Sequence, residues 1–244
     1  MYKKHLGFTL AEVLITLGII GVVAALTLPI LIHNYKRIVI ENKLKVITST
    51  FLQAFNIAEA EYGDITNWEK TSSSLEFWSK YVLPYMTGVT IGVKGPLSDY
   101  GYKTPILYAD GSVAIALDLE RTRAYLKNGA QMNFNYSYIT NDSGEKNILV
   151  FYTYIDINGS KGPNRLGVDN FVLVKPNANK RPVMLWGADM VKYNKYNPNT
   201  YDIDYDNKYT EEELYERCAS HGDTCGAIIQ RNGWKIPKDY PIKF

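Results

Sequence analysis

The hydrophobic pattern changes twice along the chain. Residues 8–32 are almost continuously apolar, and Glu12 is the only ionisable group among these 25 residues. At about 1.5 Å per helical residue, such a run exceeds the ~20 residues that cross a bilayer. It predicts a membrane-spanning helix. Leu44, Ile47, Phe51, Phe55 and Ala58 then recur at steps of 3, 4, 4 and 3. That spacing continues the helix to about Tyr62 with one apolar face, and Gly63 and Asp64 end it. Lys36, Arg37, Glu41, Lys43 and Lys45 lie away from that face and read as its solvated side.

Beyond Gly63 the period shortens. An amphipathic helix is expected over 74–85, with Pro84 near its end. Residues 105–117 read as two strands around an Asp110-Gly111 turn, and 148–155 and 171–174 are rich in β-branched and aromatic residues. Residues 184–186 add a further strand. A long helix leaning on an antiparallel sheet is an α+β arrangement. Residues 193–209 are polar and rich in Tyr and Asn, a loop whose rings serve loop packing or, alternatively, stack on sugars or a partner surface.

Composition fits one folded head plus an anchor: 244 residues, 46% hydrophobic and 21% charged. With 27 basic and 25 acidic side chains and no long run of one sign, nucleic acid is not implied as a partner. The histidines are His5, His33 and His221, and no H-E-x-x-H, G-x-S-x-G or phosphate-binding glycine loop occurs, so enzyme chemistry is not supported.

The first apolar segment has its own chemistry. A cleaved secretory signal would also begin with basic residues, but its apolar region runs about 7–15 residues and ends at a small-residue site that is missing here. Lys3 and Lys4 on one flank and Lys36 and Arg37 on the other leave orientation open. An ionised Glu12 in hydrocarbon costs several kcal/mol unless it reaches the interface or meets a positive partner. Snorkelling to the headgroups is one solution. The other is an α-amino group at Phe8, created by a cut after Gly7, in the same chain or a neighbour. Gly18, Gly21 and Pro29 weaken the helix, because glycine is flexible and Pro29 removes a backbone N–H.

Gly7-Phe8-Thr9-Leu10-Ala11-Glu12 followed by an apolar helix resembles the type IV prepilin N-terminus, shared by type IV pilins and type II secretion pseudopilins. With Phe8 as the first mature residue, Glu12 is fifth, Gly21 fourteenth and Pro29 twenty-second, as in that family. The resemblance implies that a prepilin peptidase cuts between Gly7 and Phe8 and methylates the Phe8 amine. It implies a leader at 1–7, a transmembrane helix at 8–32, its amphipathic continuation at 33–62, and a pilin-like α+β head at 63–244 outside the cytoplasm. Glu12 would pair with a neighbour's Phe8, and residues 21–29 could stretch on assembly. The implied partners are other pilin or pseudopilin subunits, the peptidase, inner-membrane assembly machinery and the membrane. A head of about 180 residues favours a minor pilin or pseudopilin of a pilus, type II secretion or competence filament. The alternative is an anchored module that binds a glycan, surface or substrate through a calcium-stabilised loop.

In a head outside the cytoplasm, Cys218 and Cys225 are expected to form a disulfide, as C-terminal disulfide loops do in many pilins. Zinc is the alternative, with His221 between them, but the ligand set is incomplete. Asp202, Asp204, Asp206 and Glu213 match the calcium-loop spacing D-x-D-x-D-(G)-x5-E, with Asn207 in the glycine position. Thr210-x-x-Glu213 is also a capping box for a helix over about 211–218, and Glu213 cannot easily do both. Asp156, Asn158 and Asp169 are a second set of oxygen donors, for which a tight turn between strands is the favoured reading.

Overall fold

The computed structural model describes residues 9–69, 71–140, 146–176, 182–192, 196–197, 202–203 and 206–243. The first element is a helix, α1 (Leu10–Tyr62), with Pro29 inside it. The chain divides into two compact units, one reaching Val39 and the other Ile40–Lys243. In the first unit no described residue is buried, and Leu10, Leu14, Ile15, Ile19, Leu26 and Ile30 are all exposed. Among the described residues, α1 is the one helix long and apolar enough to cross a membrane.

In the second unit, Leu44, Ile47, Phe51, Phe55 and Ala58 of α1 are wholly buried, the face that the 3-4 spacing predicts. They pack with α2 (Ser74–Tyr81) and one face of a six-stranded antiparallel sheet. The join is aromatic: the Trp78 ring centroid lies 5.9 Å from that of Phe51 and 4.5 Å from Phe134, and Phe55 lies 5.7 Å from Phe151. At about 1.5–3 kcal/mol for each large apolar side chain fully buried, this cluster contributes strongly to the stability of the head. Ser73 caps α2 by accepting from the Glu76 N–H. The helix stops short of the expected end at 85: Pro84 has no N–H to extend the ladder, and Leu83–Tyr85 tightens into a 3-10 turn.

The sheet is built from β1 (Val89–Ile91), β4 (Arg123–Leu126), β5 (Gln131–Thr140), β6 (Lys146–Asp156), β7 (Asn170–Pro176) and β8 (Met184–Leu185), in the order β1-β4-β5-β6-β7-β8. Between β1 and β4 in sequence, β2 (Ile106–Leu107) and β3 (Val113–Ile115) form the expected hairpin around Asp110-Gly111. Cross-strand pairs place Phe151, Thr153, Ile155, Leu173 and Phe171 on the face toward α1. The opposite face carries Arg123, Asn133, Tyr154, Gln131, Asp156 and Asn170. It is covered, not solvated: Leu97, Tyr100, Tyr102, Ile106 and Ile115 form a second core, with Tyr154 packed against it.

Residues 196–197 and 202–203 pair as a short hairpin, β9 (Tyr196–Asn197) and β10 (Asp202–Ile203), inside the segment expected to be loop. Then α3 (Glu211–Ser220) and α4 (Cys225–Arg231) pack through Leu214, Cys218, Cys225, Ala227 and Ile228. Close approach decides one glycine here: a Cβ on Gly226 would stand 3.1 Å from the Leu185 side chain of β8.

On the charged side of α1, Lys36 and Lys45 are exposed as expected, whereas Glu41 and Lys43 correct the expectation of a solvated face. Glu41 is 6% exposed and accepts from the Ile236 N–H (2.9 Å) and Lys235 Nζ (2.8 Å). Lys43 donates to the carbonyls of Ile157 (2.6 Å) and Asn128 (3.0 Å). One turn from the helix end, Glu59 pairs with the buried Lys175 at 2.9 Å. The spacing gives the face of these residues, but the acceptors and donors that meet them lie 85 or more positions along the chain.

Candidate functional site

The entry of α1 is built by two residues. Thr9 donates its backbone N–H and its hydroxyl to Glu12 Oε2, each at 2.8 Å, and the Glu12 N–H reaches back to the Thr9 hydroxyl at 3.3 Å. This is a capping box, satisfying donors at a helix start that would otherwise lack partners. Its signature, Thr9-x-x-Glu12, is present in the sequence, and it gives Glu12 a task within its own helix beside the interfacial and intermolecular ones. Further along, the hydroxyls of Thr16 and Thr27 bond to carbonyls of their own helix, those of Glu12 and Val23 at 2.9 Å. The polar groups of the apolar run are therefore satisfied within α1.

Gly18 and Gly21 have open space where a Cβ would stand, so packing within the chain does not require glycine at either position. Pro29 lies in α1 without ending it. Gly7 and Phe8 lie outside the described residues.

Near the C-terminal end of the chain, Cys218 and Cys225 form a disulfide with a Cα–Cα distance of 4.7 Å. This overturns the zinc alternative, since neither sulfur is left as a thiolate ligand. His221 instead lies with Nδ1 2.9 Å from the Ser220 hydroxyl. Arg217 and Asp223 bridge the same elbow at 2.5 Å.

Of the EF-hand-like set, Asp204 lies outside the described residues and Asp202 is described only as part of β10. Asp206 lies in the turn before α3. Glu213 accepts from the Thr210 N–H at 2.8 Å while the Thr210 hydroxyl accepts from the Glu213 N–H at 3.1 Å, and Lys192 Nζ sits 2.8 Å from its other oxygen. The Lys192 and Thr210 hydrogen bonds hold its carboxyl below the ordinary glutamate range. Among the described residues no three His, Cys, Asp or Glu side chains gather into a metal-binding group.

The loop from Asp156 to Asn170 is more than a tight turn. Asp156, Asn164, Asp169 and Asn170 are all at least 97% buried. Asp156 accepts from the Tyr102 hydroxyl (2.8 Å), the Asn158 N–H (3.2 Å) and Asn170 Nδ2 (3.1 Å). Asp169 accepts from the backbone N–H groups of Asn164 (2.9 Å) and Arg165 (2.8 Å), and from the amides of Asn158 (3.3 Å) and Asn170 (3.2 Å). Burial, followed by the neighbouring Asp169 charge, pushes Asp156 up to about 7 against these hydrogen bonds.

An exposed apolar helix, capped at its entry by a carboxylate and continuing into an antiparallel α+β head closed by a C-terminal disulfide, is the pilin-like arrangement. Residues 2–28 match the prokaryotic N-terminal methylation motif, the prepilin-type cleavage and methylation segment of type IV pilins and pseudopilins. That motif points to a structural subunit, not an enzyme, assembling with other pilin subunits and served by a prepilin peptidase. Residues 30–244 match a family of unknown function, DUF6613, and the chain belongs to that family. No curated protein and no solved structure matches.

Proposed function

We propose that this chain is a minor pilin or minor pseudopilin, a structural subunit of a filament of the type IV pilus, type II secretion or competence kind. The observation that carries the reading is α1 itself: its apolar side chains are exposed from Leu10 to Ile32, with one carboxylate, Glu12, at its entry. Such a helix needs lipid before assembly and neighbouring helices after it.

In this reading the peptidase removes residues 1–7 at the cytoplasmic face and methylates Phe8, residues 8–32 anchor the subunit, and residues 33–62 carry the helix into the head at 63–244, outside the cytoplasm. The head then stands in the periplasm or outside the cell. Glu12 meets the Phe8 amine of a neighbour displaced along the filament, which sets the axial register. Gly18 and Gly21, not required by packing within the chain, admit a partner helix closely, and the stretch from Gly21 to Pro29 is the segment able to loosen during assembly.

Changing Glu12 to Ala tests this. Loss of the subunit from filaments, with its membrane level preserved, supports assembly through Glu12. Unaffected incorporation would overturn it and turn the reading toward an anchored binding module.

A further inference from the structure

A cleft of about 370 Å³ lies where the β4–β5 turn and the β6–β7 loop meet α1 within the second unit. Lys43, Asn128, Gln131, Asn158, Ser160 and Lys161 line it together with two glycines, and no apolar side chain does. Two cations stand at it. Lys43 Nζ uses two of its three N–H groups on the carbonyls of Asn128 and Ile157, which leaves one. Lys161 is exposed and, among the described residues, has no anionic partner. Burial lowers the Lys43 pKa, Asp156 opposes this, and the Lys161 charge lowers it further, so the two ammonium groups act on one another at the cleft.

The walls add acceptors. Gln131 is 6% exposed, and its Nε2 donates to the Tyr100 carbonyl at 3.3 Å, which fixes the carboxamide and leaves Oε1 without a hydrogen-bond partner. Asn158 Nδ2 donates to the Gly162 carbonyl at 3.4 Å and to Asp169 at 3.3 Å, so its Oδ1 is turned away from both and is also unpartnered. Unsatisfied buried carbonyl oxygens are costly and rare, and two occur in residues of one cleft wall. They accept only from N–H or O–H groups, which a simple anion such as acetate or sulfate does not carry. The complementary ligand joins a negative charge to several hydroxyls, and the all-polar lining offers nothing to an apolar body.

We propose that this cleft binds a sugar acid, with its carboxylate between Lys43 and Lys161 and its hydroxyls donating to Gln131 Oε1 and Asn158 Oδ1. A carboxylate has two oxygens that take charge-assisted hydrogen bonds, one from each ammonium group, and its charge removes the repulsion between the two lysines. The hydroxyls supply the donors that the two carboxamides lack. Such a site gives the subunit recognition of an acidic saccharide in addition to assembly. It does not involve Glu12, so it stands or falls separately from the assembly reading.

Glucuronate is the probe, observed by saturation-transfer NMR with the full-length protein in detergent micelles. Transfer to its ring protons is expected, with a millimolar Kd, and methyl glucoside, which lacks the carboxylate, binds more weakly. K161A, at an exposed position, keeps the wild-type Tm and weakens glucuronate binding about tenfold or more, as loss of one charge-assisted hydrogen bond does. Q131M removes the buried acceptor and weakens binding as well, and K161A decides the matter if Q131M does not fold. K238A, outside the cleft, leaves binding unchanged. The assignment is overturned if wild type shows no transfer, if methyl glucoside binds as well as glucuronate, or if acetate or phosphate at equal concentration displaces glucuronate. It is overturned equally if K161A binds like wild type or if K238A loses as much as K161A.

Discussion

The Glu12 carboxylate accepts both the backbone N–H and the hydroxyl of Thr9, each at 2.8 Å, so the residue proposed to meet a neighbouring subunit already caps its own helix. The two tasks separate by mutation. T9A removes the hydroxyl and costs the helix start about 0.5–2 kcal/mol, yet leaves the Glu12 charge in place. T9A should therefore still enter filaments, whereas E12A and E12Q should fall more than tenfold, as read by immunoblot of sheared filaments against membranes. Equal losses in T9A and E12Q would make capping the whole role of Glu12.

Glu41 joins α1 to the end of the chain. It is the acceptor for the buried Ile236 N–H and pairs with Lys235. E41A withdraws that acceptor in a buried setting, and about 1–3 kcal/mol of head stability should go with it. Urea unfolding of the full-length protein in detergent measures the loss. Hydrogen exchange should quicken first around residues 235–240.

The disulfide closes a short loop, with a sequence separation of 7 between its cysteines. On the chain-entropy estimate it contributes about 2–3 kcal/mol, so C218S/C225S should lower stability by that amount. Gly167 is the more sensitive neighbour. It has φ +81°, and a Cβ there would stand 2.6 Å from Cys225 Sγ and 2.6 Å from Ile242. G167A should destabilise the head further than loss of the bridge does, measured by thermal melting of both variants under the same conditions.

Glu213 gives a pH signature of known sign. Lys192 and Thr210 hold its folded carboxyl below the ordinary value of 4.5. Its contribution is thus present above that value and lost as pH falls through the depressed folded one. The Tm difference between wild type and E213Q should be steady near neutrality and close as pH falls below 4.5. A difference that persists at acid pH would show that the charge of Glu213 adds nothing to the cap.

The elements legible in the sequence were those whose burial follows from one periodicity. Leu44, Ile47, Phe51, Phe55 and Ala58 needed only the 3-4 spacing, and the Asp110-Gly111 hairpin only its turn residues. Strand β5 was not among the expected strands, although Met132 and Phe134 alternate with Gln131 and Asn133, whose polar face would by composition meet solvent. Tyr100 and Tyr102, thirty residues upstream, cover that face instead. Strand β1, three residues long, is too short to carry a period, and α4 was hidden behind the cysteine loop. Glu41 could not be read as buried from its neighbours, since its partners lie 194 and 195 positions away. The β6–β7 loop showed Asp156, Asn158 and Asp169 in the sequence, but not the burial of Asp156 and Asp169.

In the proposed function assembly follows processing, and the N-terminus of the mature protein reports it directly. Mass analysis of the subunit recovered from filaments should find a chain beginning at Phe8 with a methylated α-amine. An assembled subunit that still carries Met1 would contradict the account.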